Sequence, residues 1–355
     1  MDRFADSHIH MTLNEYEPSV QMLDMMAEKG VTDTTIHSLT YRGINYNLKA
    51  LYWKQHYTRM KLRAFGMLHD FGPFATIDPV DEVRKLLAMG CDGIKMLEMD
   101  PLLRKLIGTG VNNPHYDPMF TYLEDNNIPV CMHVNDPETF WDAEGMTPER
   151  VRRGWFYGDG TYPSKEQIYQ ETFAMLDKHP RLRVTFAHFF FMSNFLERAE
   201  EIMEKYPNVR FDLTPGGEMY VGFSKRIEDW QQFFIKYQDR ILFGTDSNNH
   251  KGVTNERLNR FVKDALLRSH DEFVPDYNNI PIRGLALPQE AYDKITYSNY
   301  VDFVGAEPKP VNTELCRQET AWMLRQVESY DYTKQTTKYP EQWETSMEWL
   351  LHVQW

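Results

Sequence analysis

Phe4-Ala5-Asp6-Ser7-His8-Ile9-His10 is a short run with apolar residues at its flank that ends in His-x-His. Read as a strand, it sets alternate side chains on one face. His8 and His10 then point the same way, as two metal ligands must, and neutral imidazole is a common zinc ligand. The spacing alone decides little, because 12 histidines in 355 residues give roughly 0.4 such pairs by chance. The pattern that follows the pair has to decide.

Outward from it, the chain alternates between two periods. Pro18 to Lys29 reads as an amphipathic helix stopped by Gly30, and Val31 to Leu39, rich in β-branched residues, as a second strand. A helix over Asn47 to Arg59, a strand over Leu62 to His69, a helix over Pro79 to Met89 and a strand over Asp92 to Leu97 follow. Pro118 to Asn126 is helical, Ile128 to Val134 is the fifth strand, and 135–163 is a long aromatic-rich connection. Ser164 caps a helix running to Lys178, with Gln167 three residues on. The remaining strands are Leu182 to Phe190, Val209 to Leu213 and Arg240 to Asp246, with helices over Asn194 to Tyr206 and Ser224 to Tyr237 between them. Eight strands alternating with helices predict an α/β chain folded as a (β/α)8 TIM barrel over residues 1–305, whose last helix is Pro288 to Val304. Residues 306–355 begin Pro-rich and continue as two amphipathic stretches. They are expected to form a C-terminal helical extension, packed on the barrel or on a partner subunit.

Composition narrows the partners. With 42% hydrophobic and 26% charged residues, a sizeable core is expected. A net charge of -13 without a Lys/Arg block argues against nucleic acid and acidic membrane. Cys91, Cys131 and Cys316 cannot all pair, which fits a reducing compartment. There is no run of about 18 apolar residues, and the first strand begins too early to leave room for a signal peptide. A cytoplasmic protein acting on a small molecule, assembled as a homo-oligomer such as a dimer, is the expectation.

In such a barrel the active site lies at the C-terminal ends of the strands. His8 and His10 end the first strand, Lys95 is on the fourth, His133 ends the fifth, His188 is on the sixth, and Asp246 ends the eighth. One such residue alone reads as a core histidine or a helix cap. The full set at matching ends reads as a metal site.

On these motifs the chain resembles the amidohydrolase superfamily, in its amidohydrolase-related branch, which includes aminocarboxymuconate-semialdehyde decarboxylase, γ-resorcylate decarboxylase, hydratases and lactonases. The resemblance covers roughly residues 3–305. It is carried by Asp6-Ser7-His8-Ile9-His10, Gly93-Ile94-Lys95, Met132-His133, Ala187-His188 and Gly244-Thr245-Asp246. It implies that His8, His10, His133 and Asp246 hold one divalent metal, most often zinc, and that His188 works on the substrate or on water. Asp246 then takes a proton from a water activated by the metal, while a histidine opposite polarises the scissile group. Asp6, on the same face as both histidines, is a candidate partner for an imidazole N–H. Lys95 stands where two-metal members carry a carboxylated, bridging lysine. Carboxylated, it would bring a second metal with His133 and His188. Unmodified, it is a cation that must meet an anionic group. One metal per chain is the favoured expectation.

For the substrate, the strand ends and loops offer His37, Tyr41 and Arg42, then His69 and Asp70, then Asp136, Phe140, Trp141, Trp155, Phe156 and Tyr157. Later loops add Glu218, Tyr220, Phe223, Ser247 and Asn248. Of these, Arg42 is a candidate carboxylate clamp, and Trp141, Tyr220 and Asn248 are candidate substrate contacts. Two reactions fit. Hydrolysis of an amide- or lactone-type C–N or C–O bond in a small, cyclic or aromatic acid is favoured, because decarboxylases of the branch mostly place a carboxylate where this chain has His8. The alternative is non-oxidative decarboxylation of an unsaturated or aromatic acid by a carbon-carbon lyase. A barrel that binds a ligand without catalysis is the third reading.

Overall fold

The structure, a computed structural model, describes residues 3–70, 75–144, 146–215, 219–249, 260–274, 280–328 and 340–355. Strand and helix alternate from the start through β1 (Phe4–His10), α1 (Tyr16–Glu28), β2 (Val31–His37), α2 (Tyr46–His56), β3 (Lys61–Met67), α3 (Pro79–Met89) and β4 (Gly93–Met99). Two helices, α4 (Pro101–Ile107) and α5 (Asp117–Asp125), then lead to β5 (Val130–Val134). Next come α6 (Pro148–Arg152), α7 (Lys165–Lys178), β6 (Val184–Phe186), α8 (Leu196–Lys205), β7 (Val209–Asp212), α9 (Met219–Ser224), α10 (Ile227–Lys236) and β8 (Ile241–Leu242). The rest comprises β9 (Ser247–Asn248), α11 (Arg260–Arg268), an antiparallel pair β10 (Glu272–Phe273) and β11 (Ile282–Arg283), α12 (Gln289–Asp293), α13 (Asn299–Val304), α14 (Thr313–Glu328) and α15 (Pro340–His352).

Local chemistry sets the helix ends. Gly30 and Gly90 adopt φ of 92° and 113°, the left-handed conformation that stops α1 and α3 at no Cβ cost. Asp78 caps α3 through Val80 N–H, and Ser164 caps α7 through Gln167 N–H. The predicted single helix Pro288 to Val304 runs without a gap from Gln289 through a π turn at Lys294–Ser298, whereas Ser224 to Tyr237 is interrupted before Ile227.

The chain divides into two compact units. The first holds residues 1–95, 243–262 and 296–355. Its strands are parallel, in the order β9-β1-β2-β3-β4, with Ile9 opposite Ser247, His37 opposite Phe65 and Met67 opposite Lys95. Pairing of β1 with β2 shifts register between Asp6 and Ile9, a bulge in the stretch that carries His8. The C-terminal extension belongs to this unit. Lys309 N–H donates to Asp92 at 2.7 Å, the carboxylate that also pairs with buried Lys54 and accepts from Ala64 N–H. Arg63, paired with Asp33 at 3.1 Å, packs over Tyr300 and donates to the Gly305 carbonyl.

The second unit holds residues 96–242 and 263–295. Strands β5, β6, β7 and β8 pair in that order and in parallel, with Met132 opposite Phe186 and Asp212 opposite Leu242. Its core is aromatic, with Phe189 in ring contact with Phe211, Phe223, Trp230, Phe233 and Phe234. Two strands are shorter than their apolar runs predict. The sixth ends at Phe186, and Ala187–Phe191 forms a left-handed turn with φ of 53–56° at His188, Phe189, Phe190 and Phe191. The eighth ends at Leu242, and pairing resumes with β1 at Ser247 and Asn248. His188 therefore sits on a turn just past its strand, not on the strand itself.

Candidate metal centre

In the first unit, β1 delivers its histidines as a pair. His8 Nε2 lies 3.2 Å from His10 Nε2, and His10 Nε2 lies 3.2 Å from Asp246 Oδ1. His10 Nδ1 is 2.8 Å from the His37 carbonyl, which can only accept. The ring proton is thereby held on Nδ1, and Nε2 presents a lone pair. Asp246 reaches the group from a left-handed backbone (φ 54°), a conformation that Asp tolerates better than most residues. Its N–H donates to the His8 carbonyl at 3.0 Å, which ties that turn to β1.

These contacts fit a cation. With its Nδ1 proton on the His37 carbonyl, a neutral His10 offers a lone pair at Nε2, yet the Asp246 carboxylate lies 3.2 Å from it. Two ligand atoms each about 2.0–2.1 Å from one zinc at a tetrahedral angle lie roughly 3.3 Å apart. The observed 3.2 Å separations match that spacing, and His8, His10 and Asp246 offer three donor atoms within 4.8 Å of one another.

Lys95 is buried, with Nζ 3.3 Å from His8 Nε2. One imidazole lone pair serves only one partner, so Lys95 and a metal compete for it. His37 packs on His8 with ring centroids 4.2 Å apart and donates through Nε2 to the Ser7 carbonyl at 2.9 Å. Burial, reinforced by the charges of His8, Lys95 and His10, holds His37 well below the ordinary imidazole range. Its buried Nδ1 meets no hydrogen-bond partner among the described residues. Asp6 accepts from the N–H groups of His8 (3.2 Å) and Thr245 (3.0 Å) and from the Thr245 hydroxyl (2.6 Å). Its carboxylate thus pins the end of the eighth-strand segment to β1. His8 and His10 face the same way, as expected of alternate strand residues, although the pairing of β1 with β2 carries a bulge between Asp6 and Ile9.

In the second unit, His133 and His188 come together, their ring centroids 4.8 Å apart at 74°. His188 N–H donates to Asp212 (2.9 Å) and to the Thr214 hydroxyl (3.0 Å), and its Nδ1 lies 3.2 Å from the Thr214 carbonyl. Those bonds hold the turn through its backbone and through Nδ1. Asp212 also accepts from the Thr214 hydroxyl. His133 Nε2 lies 3.9 Å from Asp100 and 3.7 Å from Asp136. Burial, then the neighbouring Asp136 charge, push the Asp100 carboxyl up to about 6, against the pull of His133. Tyr157 donates to Asp136 at 2.6 Å, and burial raises its phenol far above the ordinary range.

The candidate substrate contacts stand as follows. In the first unit Arg42 donates to its neighbour Tyr41 at 2.9 Å and is half-buried, and Asn248 pairs with His10 across β9 and β1. In the second unit, Trp141 donates to the Pro163 carbonyl at 3.1 Å. Tyr220 is buried, its hydroxyl on the Leu213 carbonyl at 3.0 Å. Glu218 lies outside the described residues. Asp100, Asp212 and Thr214 were not anticipated. Asp100-Pro101 carried a readable signal, since Asp before Pro opens a helix, and Asp100 caps α4 through Leu102 and Leu103.

The profile of the Amidohydrolase family matches residues 6–303. No curated protein matches the chain. Among solved structures, an uncharacterised TIM-barrel protein from Bordetella bronchiseptica is similar at 13% identity, covering 85% of this chain and 98% of its own, with a TM-score of 0.52. A 4-oxalomesaconate hydratase from Rhodopseudomonas palustris is similar at 13% identity over 92% of this chain and 100% of its own, with a TM-score of 0.51. A 2,6-dihydroxybenzoate decarboxylase in complex with 2,6-dihydroxybenzoate is similar at 14% identity over 86% of this chain and 99% of its own, with a TM-score of 0.50. At such identities the structural likeness shows the fold alone, a TIM-barrel-like α/β fold, to which this chain adds a helical C-terminal extension. With a family match that begins at Asp6 and spans every expected ligand, the chain belongs to the amidohydrolase family, in the amidohydrolase-related superfamily.

Proposed function

We propose that the protein is a metal-dependent hydrolase that splits an amide- or lactone-type C–N or C–O bond of a small, cyclic or aromatic acid. The observation that carries this reading is the convergence of His8, His10 and Asp246 at 3.2 Å contacts around one point. These three residues would hold a divalent cation, zinc first. When bound, it supplies Lewis acidity and lowers the pKa of water toward neutrality. The chain's own groups divide the remaining work. His10, its proton committed to the His37 carbonyl, offers only a lone pair. The Asp246 side chain is 35% exposed, so water reaches its carboxylate, which holds the proton lost as water attacks the carbonyl carbon. The family resemblance gives His188, anchored through Nδ1, the work of polarising the scissile group or protonating the leaving atom.

Lys95 favours one metal. An unmodified ammonium 3.3 Å from His8 Nε2 is a cation that repels a second metal. That same buried amine supports a second reading, decarboxylation, because a cation there would hold a substrate carboxylate. The test is metal-replete protein screened against lactones, amides and aromatic acids, with hydrolysis and CO2 release scored separately. Hydrolysis without CO2 release is expected. CO2 release alone selects the lyase, and neither product in any class defeats both readings.

A further inference from the structure

A cavity of about 500 Å³ lies in the first unit between the loop after β1, helix α2 and the end of α15. Small-molecule sites commonly have this size. Four of its lining residues are aromatic: Tyr16, Tyr52, Trp53 and Trp349. Trp53 and Trp349 stand at 87° and 86° to Tyr52, with centroids 5.6 and 5.8 Å from it, so two indoles and a phenol meet as the walls of a box. Tyr16 lies beside Trp53 at 5.1 Å and is 62% exposed, a large ring left in water at the mouth. Glu15 and Glu348, both exposed, also line it, beside Asn14, Thr345, His352 and Gln354. Among the described residues neither carboxylate forms an ion pair, in a chain where many surface carboxylates do. The chemistry is one-sided. Aromatic faces carry negative potential and attract cations, and two unpaired carboxylates add to it. Behind the wall, buried Lys49 donates to the Leu13 carbonyl and to Asn14 Oδ1, and burial drives its ammonium well below the ordinary range against the opposing pull of Glu15, which weakens the positive charge facing the rim.

We propose that this cavity binds a small organic cation with an alkylated ammonium group, at a site made of residues other than those of the metal centre. A bare ammonium is strongly hydrated and needs several acceptors. An alkylated one spreads its charge over an apolar surface that suits aromatic walls. The site also gives the C-terminal extension a role, since α15 contributes Glu348 and Trp349.

The test is titration of the full-length protein with choline and, separately, with its uncharged isostere 3,3-dimethyl-1-butanol, followed by indole fluorescence and calorimetry. Choline is expected to bind saturably, one per chain, and at least about tenfold more tightly than the isostere. Trp349→Leu, and a double variant Glu15→Gln with Glu348→Gln, should each weaken choline at least about fivefold. Both rim carboxylates are exposed, so the double variant keeps its melting temperature. Equal affinity for the isostere would overturn the proposal, as would no saturable binding up to about 20 mM or unchanged affinity in the double variant. Binding should persist after the metal is stripped, which separates this site from the hydrolase reading.

Discussion

His10 joins three partners through one ring, accepting nothing at Nδ1 and facing His8 and Asp246 through Nε2. His10→Ala or Asp246→Ala removes a donor from that point and should lower bound metal at least about tenfold, as read by elemental analysis after dialysis. Metal retained at wild-type stoichiometry in both variants would refute the ligand assignment. Lys95 separates the one- and two-metal readings. Lys95→Met frees the His8 lone pair, so it should leave one metal per chain in place, bound at least as tightly. Loss of a metal on that substitution would support a bridging carboxylated lysine instead. His69 offers a test of stability. Burial, then the Lys85 charge, lower it from 6.5 to about 4, so between those values the unfolded chain binds the proton more readily. Its contribution is complete above pH 6.5 and is lost as pH falls toward 4. From pH 7.5 to pH 5 the native protein should lose about 2 kcal/mol more stability than a His69→Gln variant, measured by urea unfolding at both pH values. Equal losses would remove His69 from the account.

The left-handed turn after β6 is the element that the hydrophobic pattern does not reveal. Four successive non-glycine residues there have φ of 53–56°, at roughly 1–2 kcal/mol each, or about 4–8 kcal/mol together. Phe189, Phe190 and Phe191 are buried, and burying a phenylalanine contributes roughly 1.5–3 kcal/mol, so the three offset about 5–9 kcal/mol. Tyr169 and Asp212 add hydrogen bonds to Phe190 and His188. Phe189→Ala should therefore cost about 3–5 kcal/mol and, by loosening His188, cut turnover while leaving metal content unchanged. An unchanged unfolding midpoint would show that Phe189 does not hold the turn. The reason the turn was missed is physical. Leu182 to Phe190 is apolar or β-branched almost throughout, and such a run reports burial, not the sign of φ. No glycine or asparagine marks the change of hand. Where a specific residue type is required the reading was sound: Gly30 and Gly90 stop helices, Ser164 starts one, and His-x-His ends β1.

At the scale of the whole molecule, alternation of strand and helix made the barrel legible, because each strand needs both of its faces covered. The division into two compact units was not legible, since the chain crosses between them inside regular elements such as β4. Nor was the seat of the C-terminal extension, which is held by contacts between residues far apart in the chain, such as Lys309 N–H with Asp92, Lys85 with Glu319 and Tyr52 with Trp349. Asp92 concentrates that attachment. It accepts from Lys309 N–H and from Ala64 N–H, and it pairs with Lys54 at 2.5 Å where both side chains are 3% exposed. Removing one partner of a buried pair leaves the other charge uncompensated, at about 3–5 kcal/mol. Asp92→Ala should therefore lower unfolding stability by about that amount. Because the lost acceptor also anchors Lys309, amide exchange should quicken along 306–328 before the unit melts. Hydrogen exchange resolved by segment checks this. Faster exchange confined to 54–64, with the extension still protected, would mean that the C-terminal helices are held by their apolar faces alone.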